Sequence, residues 1–459
     1  MDSTLACLAA WMPRQRWYAA KGRPPSLRLV GWWETDNPLP GDDARLRTLL
    51  VSDEGSLPPV LYQVPIAERA TAHVDADPEH VIGSPEPGTT FIDGAYDPAY
   101  ARALLTLVTE GGEARGPNMA ARGIPTSVDL GTGPRRASVL RGEQSNTSLI
   151  YAGETATPVI CKVFRQLHPG LSPDIELATA LADAGSAHVP RAVGSLEARW
   201  PDSTTAAGSV YGSLAFAQEF LPGVEDAWRV ALRAGARGDD FTERARDLGA
   251  ATADVHLSLA ALFPTPRTDD AARATTSATW RRRLSIAIAE VPAIAERQQA
   301  IERVYARAET IAWPPRQRIH GDYHLGQVLL VPGRGWVLLD FEGEPLRPMA
   351  ERREPDLALR DVAGMLRSFD YVAGSIRQGE QGHSHGAVQE WARSARTAFL
   401  DGYCAASGTD LDAQHELLAA LELDKAVYEA IYETRNRPTW VSIPLRAIAR
   451  LADRSGTVV

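Results

Sequence analysis

The stretch that most restricts the fold is RIHGDYHLGQVLLVPGRGWVLLDFEGEP, residues 318–345, set in a half of the chain whose pattern is otherwise mostly helical. It reads as loop, strand, turn, strand. The loop HGDYHLGQ carries His320, Asp322, His324 and Gln327. Thirteen residues beyond Gln327 an apolar strand ends in Asp340, and Glu342 follows at a two-residue step. Either fragment alone is a weak signal. An H-x-D loop and a D-F strand end at this spacing, after a long helical run, form a specific pair.

The first half has the opposite character. LACLAAWM is a short helix, and SLRLVGWWE, LRTLLVS and VLYQVPIAE are strands parted by Pro, Gly and Asp turns. Residues 1–95 therefore read as a small α+β module. YDPAYARALLTLVTEGG is helical, with Asp97 as cap and Pro98 as first residue. Strands are expected near 137–141, 147–152 and 157–164. A helix follows, with Ser172 as N-cap, Pro173 as first residue and Gly185 as stop. RAVGSLEAR and SVYGSLAFAQEF add strands. Residues 96–222 thus form an intermediate helix and a β-rich lobe. Residues 223–459 form a helical lobe, with helices over 241–262, 270–310, 384–406, 411–436 and 442–453. The Gly, Ser and Gln around 374–387 predict a mobile loop.

At 459 residues the chain is too long for one core. With 44% hydrophobic and 23% charged residues it has ordinary globular composition. A net charge of −10 argues against broad phosphate neutralisation, hence against a nucleic-acid partner. Cys7, Cys161 and Cys404 are far apart and form no metal spacing or disulfide framework, as in a reducing compartment. The N-terminus is too polar for a signal peptide, and no apolar run reaches membrane-spanning length. The expectation is a cytoplasmic protein with no membrane partner. Only Lys21, Lys162 and Lys425 among the 48 basic residues are lysine. Lys162 sits in VICKVF, whose alternation puts Ile160, Lys162 and Phe164 on one face. A lone lysine aimed to one side of a strand needs an anionic partner or a wet cleft. A compact ammonium serves there where a planar guanidinium does not.

A β-rich lobe followed by a helical lobe is the layout of a bilobal, protein-kinase-like α+β phosphotransferase. Such chemistry needs a lysine on the phosphates, a carboxylate to position it, a base and metal ligands. Lys162 is the lysine, and Glu176, fourteen residues later on the next helix, is the expected carboxylate. HGDYHLGQ resembles the kinase loop H-x-D-x-x-x-x-N, with Asp322 in the place of the catalytic base, a role that typically contributes about 10²–10⁴-fold. Gln327, Asp340 and Glu342 offer oxygens to Mg²⁺. No glycine-rich loop is present. RGEQSNTS, residues 141–148, takes its hairpin position, with Gln144, Ser145, Asn146 and Thr147 expected on the phosphates of ATP. AFAQEFLPG reads as strand into linker, so Gln218, Phe220 and Leu221 are expected to face the adenine through backbone groups.

The blocks MPRQRWYAAKGR, EQSNTS, PDIEL, HGDYHLGQVL, LLDFEGEP, ERREPDLALRDVAGMLRSFDY and LELDKAVYEAIYETRNRPTWVSIPL run almost end to end. In them the chain resembles the maltokinase and glucosamine-kinase group of aminoglycoside-phosphotransferase-like sugar kinases of actinobacteria. The resemblance implies a bilobal kinase-like fold with an N-terminal cap domain, ATP and Mg²⁺, and a small sugar as acceptor. The protein is expected to be a monomer or weak homodimer. Arg360, Asp361, Arg367 and Asp370 read as ion pairs behind the active loop, with Arg360 and Asp361 supporting it. MPRQRWYAAKGR reads as a docking feature of the cap, and Lys21 has no assigned role.

The sugar is expected at the last long helix. Lys425 and Glu429 share a face at i, i+4 and predict a helix salt bridge. Tyr432, Glu433, Asn436 and Trp440 offer carboxylate, amide and aromatic face together, and His324 near Asp322 is a further substrate candidate. An amino sugar wants a nearby carboxylate, because a charge-assisted hydrogen bond is about twice as strong as a neutral one. Maltokinases usually carry His in place of Asn436 and Gly in place of Ile431. Both departures favour glucosamine, phosphorylated on its 6-hydroxyl, over maltose, phosphorylated at the anomeric one. Aminoglycoside phosphorylation rests on fold analogy alone. A non-catalytic sensor would lack a phosphate or metal group, and here only Gln327 departs from the pattern.

Overall fold

The computed structural model describes residues 2–140, 142, 145–202, 205–345, 347–379 and 385–453. The chain forms two compact units, one of residues 1–179 with 190–222, the other of residues 180–189 with 223–459.

The first unit is built on one antiparallel sheet of thirteen strands. In chain order they are β1 (Leu27–Thr35), β2 (Arg45–Asp53), β3 (Val60–Ala70), β4 (Val81–Glu86), β5 (Thr89–Asp93), β6 (Glu113–Arg115), β7 (Ala120–Pro125), β8 (Arg136–Val139), β9 (Asn146–Ala152), β10 (Val159–Phe164), β11 (Gln166–Leu167), β12 (Ala192–Pro201) and β13 (Ser209–Glu219). In space the order is β4-β5-β3-β2-β1-β6-β7-β12-β13-β10-β9-β8, with β11 paired to β3. The expected strands of the two sequence segments therefore belong to one continuous sheet. β4 and β7, which the sequence pattern did not disclose, contain Gly and Pro; sheet pairing overrides their weak propensity.

Helix α1 (Asp2–Trp11) closes the cap core. Trp11, Met12, Trp17 and Tyr18 are buried there against Leu49, Val51 and Tyr62, each large side chain contributing about 1.5–3 kcal/mol by leaving water. MPRQRWYAAKGR thus does dock, and Lys21 finds its role: its Nζ donates to Pro13 O at 3.1 Å and to Gln15 O, closing the loop on itself. Helix α2 (Pro98–Glu110) begins as expected. Asp97 accepts from the amides of Ala99 and Tyr100, and Gly111 ends the helix at φ 74°. Arg165 is fully buried between Asp93, which accepts two of its bonds at 2.6 and 2.9 Å, and the ring of Trp17 at 5.0 Å.

Helix α3 (Pro173–Asp183) follows β11. The second unit holds α4 (Ala227–Arg237), α5 (Thr242–Leu262), α6 (Asp270–Glu290), α7 (Gln298–Thr310), α8 (Met349–Arg352), α9 (Leu359–Gly379), α10 (His385–Ser407), α11 (His415–Asn436) and α12 (Ser442–Asp453). It also holds a small sheet of β14 (Glu225–Asp226), β15 (Val328–Val331) and β16 (Gly335–Leu338). The helix expected over 270–310 is two helices. Pro292 lacks an amide hydrogen, so the chain leaves the α-conformation at Val291 and passes through a 3₁₀ segment, Pro292–Arg297.

The mobile loop expected at 374–387 is also corrected. Residues up to 379 belong to α9, and α10 resumes at His385; residues 380–384 lie outside the described residues. Gly374 is there for packing, since a methyl on it would lie 2.4 Å from Ile443 Cδ1. Helices α5 and α10 approach through glycines: a methyl on Gly249 or Gly402 would lie 2.0 Å from a carbonyl oxygen of the other helix.

Candidate active site

In the first unit the register of β9, β10 and β13 decides which side chains accompany Lys162. Directly paired residues share a face. Lys162 pairs with Ser148 on β9 and Phe216 on β13, and Ile160 pairs with Gln218. Asn146, Ser148, Lys162 and Gln218 therefore share one face. Thr147 falls on the other. Its hydroxyl is buried and accepts from Arg165 Nε at 2.8 Å, which corrects its assignment as a phosphate ligand. Ser148, missed in the sequence, takes the better-facing position. Ser145 is exposed at the head of β9, and Gln144 lies outside the described residues. Phe220 donates its amide to Pro158 O at 2.9 Å, and Leu221 follows it, half-buried.

Lys162 Nζ donates to Asp174 Oδ2 at 3.0 Å, and Asp174 is 2% exposed. Asp174 is in the first turn of α3, where a carboxylate also meets the positive end of the helix dipole. The expected Glu176 lies in the same turn, half-buried. Asp174, which the sequence reading passed over, is bonded to the ammonium.

In the second unit the loop around Asp322 is tied down from below. Asp361, at the start of α9, is 2% exposed. It accepts from His320 N at 2.8 Å, from Gly321 N at 2.9 Å and from His256 Nε2 at 3.0 Å. Burial pushes the Asp361 carboxyl up, but the bond from His256 and the charges of His256 and His320 outweigh it, so its pKa lies below the ordinary aspartate value. His320 Nε2 donates to Leu339 O at 2.8 Å, which fixes the tautomer, because a carbonyl can only accept. Leu325 N donates to Ser368 Oγ at 3.1 Å. The loop therefore holds its shape through α9 and the strand end.

Asp340, two residues beyond the end of β16, sits at φ 64°, the one positive value at a non-glycine among the described residues. Such backbone costs about 1–3 kcal/mol and persists where its surroundings enforce it. Gln327 Nε2 donates to Asp340 Oδ2 at 3.1 Å, joining two of the expected metal ligands. Glu342 is half-buried two residues on. Gly321 and Gly343, both at positive φ, lie back to back, a methyl on Gly321 falling 3.1 Å from Gly343 Cα.

Lys425 corrects a further expectation. Among the described residues it makes no helix salt bridge with Glu429, which instead accepts from Arg367 Nε at 2.9 Å. Its ammonium reaches across from α11 to Glu344 at 2.5 Å and to Asp322 at 3.5 Å. Burial opposes its charge, but Glu344 and then Asp322 outweigh burial and raise its pKa. The Glu344 carboxyl, 3% exposed, is opposed by burial yet held down to about 2 by Lys425 and then Arg360. Spacing along α11 suggested an i, i+4 pair; the turn after Asp340 supplies a stronger partner.

The remaining substrate candidates are mixed. His324 caps the turn after Asp322, Nδ1 accepting from Gly326 N at 3.0 Å, and burial pushes its pKa down. Glu433 is buried, accepting from Tyr371 Oη at 2.9 Å and from Arg437 at 2.9 and 2.6 Å. Its charge is engaged within the protein rather than open to a ligand. Tyr432 and Asn436 are exposed, and Trp440 stacks on Tyr371 at 6.3 Å with Arg437 4.9 Å from its ring. Among the described residues, no helix is long and apolar enough to cross a membrane.

Residues 136–417 match the model of the phosphotransferase enzyme family, and residues 11–97 match the maltokinase N-terminal cap domain. A glucosamine kinase of Streptacidiphilus jiangxiensis is 33% identical over 322 residues, 66% of this chain and 70% of that protein. One of Mycolicibacterium smegmatis is 30% identical over 257 residues, 51% of this chain and 62% of the relative. A solved glucosamine kinase in complex with glucosamine, ADP and inorganic phosphate superposes with a TM-score of 0.67 at 26% identity, covering 97% of this chain and 98% of the other.

Proposed function

This chain belongs to the phosphotransferase enzyme family, and we propose from that premise that it is an ATP-dependent glucosamine kinase of the cytoplasm. The transferred group is the γ-phosphoryl of ATP and the acceptor is the sugar's 6-hydroxyl. The observation that carries the reading is Asp322, held on a loop whose amides are pinned by Asp361, with an ammonium 3.5 Å from its carboxylate. The relatives named above support the sugar.

In this reading Asp322 orients the acceptor hydroxyl and takes its proton late in transfer. Lys162, set by Asp174, holds the phosphates, with Asn146 and Ser148 on the same strand face. Gln327, Asp340 and Glu342 present two carboxylates and an amide oxygen, the hard donors Mg²⁺ takes, so the residues present fit that ion. When bound it would neutralise charge on the phosphates. Lys425, 3.5 Å from the Asp322 carboxylate, holds it aimed. Tyr432 and Asn436 at the end of α11, with Trp440 in the turn beyond it, are the sugar-facing groups.

The match of residues 11–97 to the maltokinase cap keeps maltose as the second acceptor, giving maltose 1-phosphate. ADP release over glucosamine, maltose, glucose, N-acetylglucosamine and kanamycin separates the two. Glucosamine should give the highest kcat/KM, and Asp322→Asn should lose at least about 10²-fold in kcat while still binding nucleotide. Preference for maltose would transfer the assignment to the second acceptor. Undiminished turnover after the Asp322→Asn substitution would remove the mechanism.

A further inference from the structure

A cavity of about 550 Å³ opens in the first unit between one face of α2 and the edge strand β8. No step of the reaction proposed above uses it. Its floor is apolar, made by Ala101 and Leu105 of α2 and by Tyr151 of β9, whose hydroxyl turns inward to donate to Ala101 O at 2.8 Å. Its walls carry three arginines: Arg102 on α2, and Arg135 and Arg136 where β8 begins.

The charge there is unbalanced. Among the described residues, none of the three guanidiniums is bonded to a carboxylate. Arg135 is held by backbone carbonyls alone, those of Leu130 and Thr157. Burial and then the charge of Arg102 depress its pKa, as two like charges turned toward one space require. Two acids also line the cavity. Asp97 is already engaged, accepting from Arg69 Nε at 2.7 Å and Nη2 at 3.2 Å and from the first amides of α2. Glu110 lies eight residues beyond Arg102, about 12 Å along the helix axis. In a chain of net charge −10, three arginines that outnumber the two acids around one concavity are a local reversal of sign.

We propose that this cavity binds a small organic phosphate, with the phosphoryl group between Arg102 and Arg135 and the carbon skeleton over the apolar floor. Guanidinium groups match phosphate oxygens in geometry as well as charge. The volume lies within the range of about 300–1,000 Å³ found for small-molecule sites. β8 pairs with β9, which carries Asn146 and Ser148, so a ligand that ties β8 to α2 is placed to change ATP affinity. That consequence rests on the function proposed above; the binding does not.

The test is isothermal titration of the full chain, saturated with ADP and glucosamine, using glucosamine 6-phosphate, AMP and inorganic phosphate as separate probes. At least one organic phosphate should bind a site additional to the active one. Arg102→Glu and Arg136→Glu, both at exposed positions, should weaken that site at least tenfold and leave kcat and the KM for ATP without effector unchanged. Which organic phosphate binds more tightly names the source, sugar or nucleotide. No additional site, equal affinity in wild type and Arg102→Glu, or equal affinity for inorganic phosphate and both esters would overturn the proposal. A chain that shows the titration but no turnover of glucosamine or maltose would refute the kinase reading and leave this one standing.

Discussion

Replacing Lys425 by Met removes an ammonium while keeping much of its stem. Two carboxylates feel the loss, Glu344 at 2.5 Å and Asp322 at 3.5 Å. The Glu344 carboxyl is held at about 2 against an ordinary 4.5, and Lys425 is the largest of the charges responsible. At 1.36 kcal/mol per unit that depression stands for about 3 kcal/mol of stability near neutrality. Arg360 remains 3.5 Å from Glu344, so the variant should lose about 2–3 kcal/mol rather than the upper end expected when a buried pair is broken. For a unit of this size that is a fall of about 5–10 °C in Tm.

The sign with pH follows from the depressed pKa. Stability from Glu344 is fully present above 4.5 and is lost as pH falls through about 2. The gap between wild type and Lys425→Met should therefore be widest at pH 7 and close below pH 4.5. Thermal unfolding at several pH values measures it. In parallel, kcat should fall on the order of 10²-fold with little change in the KM for ATP, because a slightly misplaced base costs that much. A variant with unchanged Tm, a gap that does not vary with pH, and wild-type kcat would refute the account of Lys425.

Lys162→Arg keeps the charge, yet should lose most activity while unfolding normally, since a fork cannot take the place of an ammonium beside Asp174; full activity would refute that role. Asp361→Ala orphans the buried amide of His320 and the half-buried one of Gly321 and should cost about 1–3 kcal/mol for the first and less for the second, with kcat falling alongside, as denaturation and steady-state rates would show. Gly402→Ala places a methyl 2.0 Å from Arg246 O and should destabilise by about 1–3 kcal/mol through forced separation of α5 and α10, read in the urea midpoint.

Local order was largely legible in the sequence. The Asp97–Pro98 start of α2, the alternating faces of VICKVF and the loop-strand-turn-strand of residues 318–345 depend on neighbours within a few positions. Errors arose where a distant partner decides. Thr147 looked like its polar neighbours in the hairpin, but the register of β9 against β10 turns it to the face where Arg165 waits. Gly374 looked like loop until Ile443 of α12 explained it.

From the chain alone came the kinase-like α+β fold and the candidates Lys162, Asp322 and Asp340, because spacing along a chain and side-chain chemistry are properties of sequence. Only the folded protein shows Asp174 bonded to Lys162, Glu344 and Asp322 to Lys425, and Arg367 to Glu429. Each choice is electrostatic, and an ion pair is settled by distance and burial, which the order of residues does not contain.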